Sequence, residues 1–570
     1  MPSLLPSDKR AAARTWRWWD VLALIVIVLA TWLPRGLALD QFATPDEPLW
    51  LNRSANFYYA LGQRDFASTY QREHPGVTTM WAGTLGFLSR FPEYRGTGLG
   101  QIEPAQFHYH MKNLAKVPPI ELLAAGRTFM VLGHTLVLAL AYLYARRLIG
   151  PLPALIAFLI IAFDPFHLAL TRLLHLDGML GNLMLLSLLA FLSFLLERKT
   201  IDLLLSAAAA GFSVLTKSPG VFIAPVIGLM TLLDLWQTRS RDKAAPLAKQ
   251  LWHSAWPLIA WVAIGVGVMF VFWPAMWGDP TEPLLTVFKK AGKWAESGHY
   301  SAVFFNGQIA ESGDLGSAYF YFYPLTYLWR STPVELIGLV AALLGFFTWR
   351  KPFDQRPLRF TSIALFLLVL LFTIGMTIGS KKFDRYLVPI YAPLDLLAAL
   401  GWVSAAVWLK EKNLRSVLKY SPYLLLVIVV GVQIAGSLPT FPYYFSYYNP
   451  LMGGSQKAPE VMQIGWGEGL DQAARYLNQK PDAAEMGVVS WYNLGPFSYF
   501  FSGKAPFMSY LSEVSPQEWE KFLANNYAVV YVHQWQRGIS GQVLEYLSQR
   551  TPEKTIWING IEYVRIYALH

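Results

Sequence analysis

Apolar runs long enough to cross a lipid bilayer recur along this chain, and no other feature of the sequence constrains its fold as much. A spanning helix needs about 20 mostly apolar residues. Inside lipid every backbone polar group must be satisfied within the segment, which selects helices. The sequence predicts about eleven of them, at roughly 20–39, 121–145, 148–164, 177–196, 201–216, 219–236, 253–274, 332–349, 359–379, 386–409 and 421–438. Only 15% of the 570 residues are charged, against about 25% in a typical soluble domain. The net charge of +10 would suggest nucleic acid in a soluble chain. Here the basic residues sit mainly between apolar runs, so the expectation is no nucleic acid. Cysteine is absent, which removes disulfides, thiolate metal sites and thiolate nucleophiles.

The distribution of Lys and Arg sets the expected orientation. One set of alternating segments carries Lys9, Arg10, Arg14 and Arg17, then Arg146 and Arg147, Arg198 and Lys199, a group including Lys243, Arg350 and Lys351, and finally Lys410, Lys412, Arg415 and Lys419. The short loops of the other set carry few: Arg172, Lys217, Lys381, Lys382 and Arg385. The positive-inside rule puts the first set in the cytoplasm, with the N-terminus. No small-residue cleavage site follows Val21–Leu33, so this run reads as a retained first helix. The expectation is an integral, multi-pass protein of the plasma (inner) membrane. It divides into a transmembrane module over 1–439, with large outer loops at 40–120 and 275–331, and an extracytoplasmic α/β domain over 440–570. In that tail, strand-like runs occur at Met486–Trp491, Tyr527–Val532 and Ile561–Tyr567, and helical patterns at Leu470–Leu477, Gln517–Leu523 and Val543–Leu547. Ser515-Pro516-Gln517-Glu518 has the form of a helix start.

Three clusters on the outer side are candidates for chemistry. Thr44-Pro45-Asp46-Glu47-Pro48 holds two adjacent carboxylates on a backbone stiffened by prolines. Near the membrane such a carboxylate can serve as a base; as a plain turn or helix cap it is equally at home. Arg172-Leu173-Leu174-His175-Leu176-Asp177 places a cation, an imidazole and a carboxylate at the membrane surface, where ionisable groups are functional by default. Asp177 would also cap the next helix. Lys381-Lys382-Phe383-Asp384-Arg385-Tyr386 concentrates cations that one Asp cannot neutralise, which suits a phosphate. Lys217, in an outer turn, either snorkels or is a second phosphate contact. His74, His175, Asp177, Arg172 and His299 are candidates for a sugar or acceptor pocket, and Phe304-Phe305-Asn306-Gly307 could add aromatic faces. A lipid-linked phosphate would explain the three clusters together, its tail among the helices, its phosphate on the cations and its sugar near the carboxylates.

The order of these elements resembles the GT-C glycosyltransferases of the protein O-mannosyltransferase and aminoarabinose-transferase type. The likeness runs through roughly residues 20–400. It rests on Asp46-Glu47 after the first helix, His74-Pro75-Gly76 in the same loop, Ala125-Gly126-Arg127 and Ala145-Arg146-Arg147-Leu148-Ile149-Gly150 in the second helix, Leu173-Leu174-His175-Leu176-Asp177, Thr216-Lys217, and Arg385-Tyr386-Leu387-Val388-Pro389. The resemblance implies a GT-C type membrane fold, Asp46 as catalytic base with Glu47 supporting it, Asp177 as the second acidic position, and Arg385 and Tyr386 on the donor phosphate, with Lys381, Lys382 and Lys217 beside them. In some members such carboxylates hold a divalent metal, which would make Asp46 and Asp177 its ligands; others are thought to work without one. His74-Pro75-Gly76 departs from the Lys-Pro-Pro of the aminoarabinose branch.

The chemistry implied is single displacement with inversion. A polyprenyl phosphate is already a good leaving group, so one base and positive charge suffice, where a glycosidase uses two carboxyl groups. The expected donor is a polyprenyl-phosphate monosaccharide and the acceptor an extracytoplasmic protein, lipid or glycan hydroxyl. The competing expectation is a polyprenyl-lipid flippase or transporter, although transporter sites lie near the midplane and often between repeats, and no repeat is visible.

Overall fold

The computed structural model describes residues 17–241, 246–296, 302–310, 315–412, 420–509 and 511–570. His299 and the basic residues Lys9, Arg10, Arg14, Lys243, Arg415 and Lys419 lie outside the described residues.

Among the described residues, eight helices are long and apolar enough to cross a membrane: Trp18–Gly36, Pro119–Ile149, Asp177–Glu197, Ser218–Ser240, Leu247–Phe272, Arg356–Ile378, Asp384–Glu411 and Ser421–Thr440. Two bent pairs raise the count to ten if each is one span. Pro151–Ala162 and Pro165–Thr171 meet at 67°, and Phe322–Arg330 and Pro333–Phe347 at 117°. The remaining expected segment is the apolar helix Thr200–Thr216, of 17 residues. Eleven expected spans thus become eight to ten by length and composition. Prolines at 151, 165 and 333 each start a new helix, where the missing N–H costs nothing, and the expected segments 148–164 and 332–349 stop and start at the two bends.

Ion pairs at one end of the bundle show how the helices alternate. Asp20, at the start of the first helix, meets Arg146 at 2.7 Å, and Arg147 meets both Glu197 and Asp202 at 2.8 Å. The opposite helix ends therefore gather Asp46, Asp177, Lys217 and Arg385, the loops the charge distribution assigned to one side. Asp177–Glu197 is the centre of the bundle, with 94% of its apolar window buried, packed on Thr200–Thr216, Pro119–Ile149 and Val388–Glu411. The loop 40–120 is itself largely helical, with Glu47–Gln63 and Val77–Arg90.

The tail forms a four-stranded sheet in the order Val488–Ser490, Tyr527–Tyr531, Ile561–Ala568, Lys554–Ile558, the first pair parallel and the others antiparallel. Helices Leu470–Leu477, Pro516–Leu523 and Gly541–Ser548 flank it. Ser515 caps the second of these with the reciprocal Glu518 bond, at 3.3 and 2.9 Å. The strand Lys554–Ile558 was not among the expected ones; exposed Lys554 and Trp557 break its apolar pattern. The period of two divides the sheet between two cores. Val529, Tyr531, Val564 and Ile566 join the apolar core of the helical bundle. Ala528, Val530 and Tyr567 turn to a smaller core with Phe522, Val543 and Leu547.

Pro333–Phe347 and Val388–Glu411 approach through glycine. A Cβ on Gly401 would overlap the carbonyl oxygen of Gly338, the close crossing that small residues permit. Gly401→Ala should therefore cost about 1–3 kcal/mol by overpacking. A lower thermal midpoint of the detergent-solubilised variant is the expected readout; an unchanged midpoint would mean that the two helices separate freely.

Candidate active site

The proline-flanked carboxylates part company in the fold. Glu47 begins the helix Glu47–Gln63 and is fully buried. Its two oxygens take a bidentate ion pair from the buried Arg127, with Nε to Oε1 at 2.6 Å and the second contact shorter. They also accept from the Thr44 amide and hydroxyl at 2.9 and 3.0 Å and from the Leu174 amide at 2.9 Å. Arg127 in turn donates to the carbonyls of Leu39 and Phe42 at 2.5 and 2.8 Å. Burial opposes the Glu47 charge, but Arg127 and these bonds hold its carboxyl below the ordinary range. Glu47 is thus a clamp between the first loop, the second long helix and the segment before Asp177, and it faces away from the cavity.

Asp46 faces the other way. Its side chain keeps 32% exposure on the wall of a cavity of about 320 Å³. Its Oδ2 accepts from Arg385 at 3.2 Å and lies 3.5 Å from His175 Nε2. Burial pushes its pKa up, but Arg385 and His175 outweigh that and hold the carboxyl well below the usual carboxylate range.

The three sequence clusters meet here. Asp177, in the first turn of the central helix, is buried and pairs with Lys217 Nζ at 2.7 Å. Its other oxygen lies 3.6 Å from His175 Nδ1 and 4.0 Å from Arg385 Nε. Those three atoms, Asp177 Oδ2, His175 Nδ1 and Arg385 Nε, are buried and have no hydrogen-bond partner, an arrangement that calls for an explanation. Lys217 sits 4.2 Å from the Tyr386 ring centroid. Gly76 donates to the Thr216 carbonyl at 3.1 Å, which brings His74 towards Lys217. Burial and then Lys217 lower the His74 pKa to about 3, so its imidazole is neutral and is no cation for a phosphate.

Lys382 and Arg385 line the cavity. Lys382 donates to the Thr377 and Gly379 carbonyls at 2.6 and 2.9 Å, and burial draws its pKa down to about 8. Asp384 Oδ1 accepts from the amide of its neighbour Arg385 at 2.7 Å. Its Oδ2 is taken by the buried Arg330, at 3.0 and 2.7 Å. Lys381, Tyr386, His74, His175, Asp177 and Lys217 do not line this cavity. Arg172 does not join it either: its guanidinium is buried and donates to the carbonyls of Pro442, Leu37 and Ala38 at 2.8, 2.5 and 3.0 Å. It ties the end of the first helix to the segment after the last one, which corrects the expectation that it borders a substrate.

Half of the cavity wall comes from the tail. Gly465 and Trp466, Trp491 and Tyr492, and His533 and Arg537 all line it, together with Val303, Phe304 and Phe305. The Arg385 guanidinium lies 4.5 Å from the Trp466 ring centroid. His533 is held by the Gly465 carbonyl at 2.9 Å and the Tyr492 hydroxyl at 2.8 Å. Gly465, Gly467 and Gly469 all have positive φ, at 85°, 105° and 87°. A tryptophan flanked by alternating glycines is the one sequence signal that could have drawn attention to this loop; His533 and Arg537 carried none.

Residues 106–277 match the sequence profile of the dolichyl-phosphate-mannose-protein mannosyltransferase family. The chain resembles that family over this stretch. It contains Arg127, His175, Asp177 and Lys217, but neither Asp46 nor Arg385. No curated protein matches the chain. Among solved structures, ArnT from Cupriavidus metallidurans bound to undecaprenyl phosphate is 15% identical, with 97% of this chain and 98% of that one covered and a TM-score of 0.46. The apo oligosaccharyltransferase of Archaeoglobus fulgidus is 12% identical, with 92% and 71% covered and a TM-score of 0.44. The S. cerevisiae Pmt1-Pmt2 complex bound to the sugar donor is 18% identical, with 47% and 35% covered and a TM-score of 0.37.

The two carboxylates should separate in mutagenesis. Glu47→Ala strands Arg127 without its partner and should cost about 3–5 kcal/mol, read as a large fall in thermal midpoint or loss of folded protein. Asp46→Asn, on the cavity wall, should leave the midpoint close to that of the parent. The reverse pattern would exchange the roles assigned here.

Proposed function

We propose that the protein is a membrane glycosyltransferase that moves a monosaccharide from a polyprenyl-phosphate donor to an acceptor hydroxyl outside the cytoplasm, by single displacement with inversion. One observation carries this reading: Asp46 and Arg385, 339 residues apart, meet at 3.2 Å on the wall of one cavity. A base and a phosphate-binding cation on the same wall are what direct transfer from a lipid phosphate requires. The family resemblance over residues 106–277 supports the same class of reaction.

In the proposed step the acceptor oxygen attacks the anomeric carbon and its proton passes to Asp46. The bond from that carbon to the phosphate oxygen breaks, and the polyprenyl phosphate leaves with the electron pair. Arg385 and Lys382 receive its negative charge, with Lys217 and Tyr386 behind them. A donor phosphate draws Arg385 away from Asp46, so donor binding would itself restore basicity to a carboxylate otherwise suppressed by its cation. Trp466 and Phe304 offer faces for the sugar. Glu47 is a positioning residue that sets Asp46 through the adjoining peptide. A divalent ion on Asp46 and Asp177 would have to displace Arg385 and Lys217 from them, and those cations already supply positive charge for the departing phosphate. The charge asymmetry of the loops supports a cytoplasmic N-terminus in the inner membrane and a cavity that opens away from the cytosol, with the α/β region of 440–570 as its outer wall.

The test is incubation of the purified protein with radiolabelled polyprenyl-phosphate hexoses and pentoses and a membrane extract as acceptor pool. Label should leave the lipid for a glycosylated product, and Asp46→Asn should slow this by about 10²–10⁴-fold. Movement of the lipid across a bilayer without any product would favour a flippase and overturn the proposal. Because burial draws the pKa of the Lys382 ammonium down to about 8, kcat/KM for the donor should fall as pH rises through about 8, since that ratio reports groups of the unliganded enzyme. In Lys382→Arg the fall should disappear; an unchanged profile would remove Lys382 from the phosphate site.

A further inference from the structure

A second set of carboxylates lies deeper in the bundle, away from the cavity. Asp164, Glu335 and Asp395 are each fully buried, and one oxygen from each lies within 4.8 Å of the others. Two oxygens bound to one hard cation at 2.3–2.6 Å are separated by at most about 5 Å, so the spacing is that of a ligand set. Each residue comes from a different place. Asp164 sits in the 67° break between Pro151–Ala162 and Pro165–Thr171, and Glu335 in the first turn after the 117° break at Pro333. Asp395 projects from the middle of the helix Val388–Glu411.

The hydrogen bonding leaves the centre of this cluster unsatisfied. Asp164 spends Oδ1 on the His167 amide at 2.6 Å, and Glu335 spends Oε1 on the Tyr327 hydroxyl at 2.5 Å. Asp164 Oδ2, Glu335 Oε2 and both oxygens of Asp395 have no partner. Independently of the carboxylates, Tyr391 lies one turn before Asp395, is fully buried, and its hydroxyl has no partner either. The Tyr391 ring centroid lies 5.4 Å from that of Tyr327, the residue whose hydroxyl binds Glu335. None of the described ion pairs involves any of the three acids. Buried carboxylates are ordinarily paired or bound to a metal, and ionisable groups inside a membrane protein mark ion sites by default, often at helix breaks.

We propose that Asp164, Glu335 and Asp395, with the Tyr391 hydroxyl, bind one divalent cation of the hard, oxygen-seeking class, such as Mn²⁺, Mg²⁺ or Ca²⁺. The donors are all oxygen, which disfavours the softer zinc and copper ions. His167, the imidazole beside Asp164, is committed to Arg35 and Asn182 at 3.0 and 2.9 Å. Arg35, whose charge also acts on Asp164, would balance the negative charge left over by a divalent ion. The ion would cross-link two broken helices to an unbroken one, beneath the Arg330–Asp384 pair that supports the cavity wall. Its role is structural with respect to the transfer step.

The test uses the full-length chain in detergent, carrying Asp46→Asn and Asp177→Asn so that the acids of the candidate active site contribute nothing. After chelator treatment it is titrated with Mn²⁺, and free Mn²⁺ is read by electron paramagnetic resonance. One ion should bind per chain and raise the thermal midpoint. Adding Asp395→Asn should weaken binding by about tenfold or more, since even indirect partners of metal ligands are worth that much, and abolish the rise. Tyr391→Phe, which keeps the packing, should weaken it less. No binding in the parent, or binding unaltered by Asp395→Asn, is the result expected of three acids that merely share protons, and it would overturn the proposal. Elemental analysis of untreated protein decides the matter even if Asp395→Asn does not fold. About one equivalent of a hard divalent metal should survive dialysis, and less than about a tenth of an equivalent would overturn the proposal.

Discussion

The buried pair between Glu47 and Arg127 is the contact on which the arrangement of the cavity depends. Taking two full charges out of water is unfavourable unless geometry and extra hydrogen bonds compensate. Here both conditions hold: the contact is bidentate, and the Thr44, Leu174, Leu39 and Phe42 backbone groups complete it. These partners span the first loop, the second long helix and the segment leading to Asp177. One ion pair therefore locks three separate stretches of chain at the end of the bundle. With Glu47 turned inward as N1 of its helix, the preceding residue has to turn outward, and that residue is Asp46. The direction of a single side chain becomes a consequence of burying its neighbour.

The cavity is then finished by a part of the chain far from the membrane helices in sequence. The four-stranded sheet is apolar on both faces, and one face, through Val529, Tyr531 and Val564, is continuous with the core of the bundle. This continuity fixes the glycine-rich loop that carries Trp466. The loop is closed by bonds from its amides to side chains: the Trp466 amide donates to the Glu468 carboxylate at 2.6 Å and the Gly467 amide to the Tyr531 hydroxyl at 2.8 Å. A strand residue thus sets a loop, and the loop sets the aromatic face over Arg385. The same logic of helix ends meeting across the bundle operates at Arg172, which spends its charge on three carbonyls and so holds the first and last helices together.

Eight to ten of the eleven expected spans, the placement of Asp46, His175, Asp177, Lys217 and Arg385 at one end of the bundle, and the strands at Tyr527–Tyr531 and Ile561–Ala568 were legible in the sequence. All of them follow from local rules: apolar run length, charge asymmetry between loops, and the two-residue period of a strand. The expected spans at 148–164 and 332–349 stop and start at the two bends; what was not legible is that the short helices Pro165–Thr171 and Phe322–Arg330 adjoin them across each bend. Arg172 and Lys382 could not be told apart by type, since both are cations in outer loops. Both donate to backbone carbonyls, but only Lys382 borders the cavity, and only the path of distant segments separates these fates. The acids at 164, 335 and 395 are each isolated in an apolar environment of the sequence. Nothing local says that they share a centre.

By itself, then, the sequence determined that this chain builds a helical bundle for a membrane, which loops lie at the same end, and which residue types those loops carry. Local hydropathy and charge suffice for that, because a bilayer constrains each segment independently. Tertiary structure decided which of two adjacent carboxylates faces the cavity, which cations remain beside it, and that the tail supplies half of its wall. These are outcomes of competition for buried partners between residues hundreds of positions apart, such as Arg385 with Asp46 and Arg330 with Asp384, and such competition has no local signature.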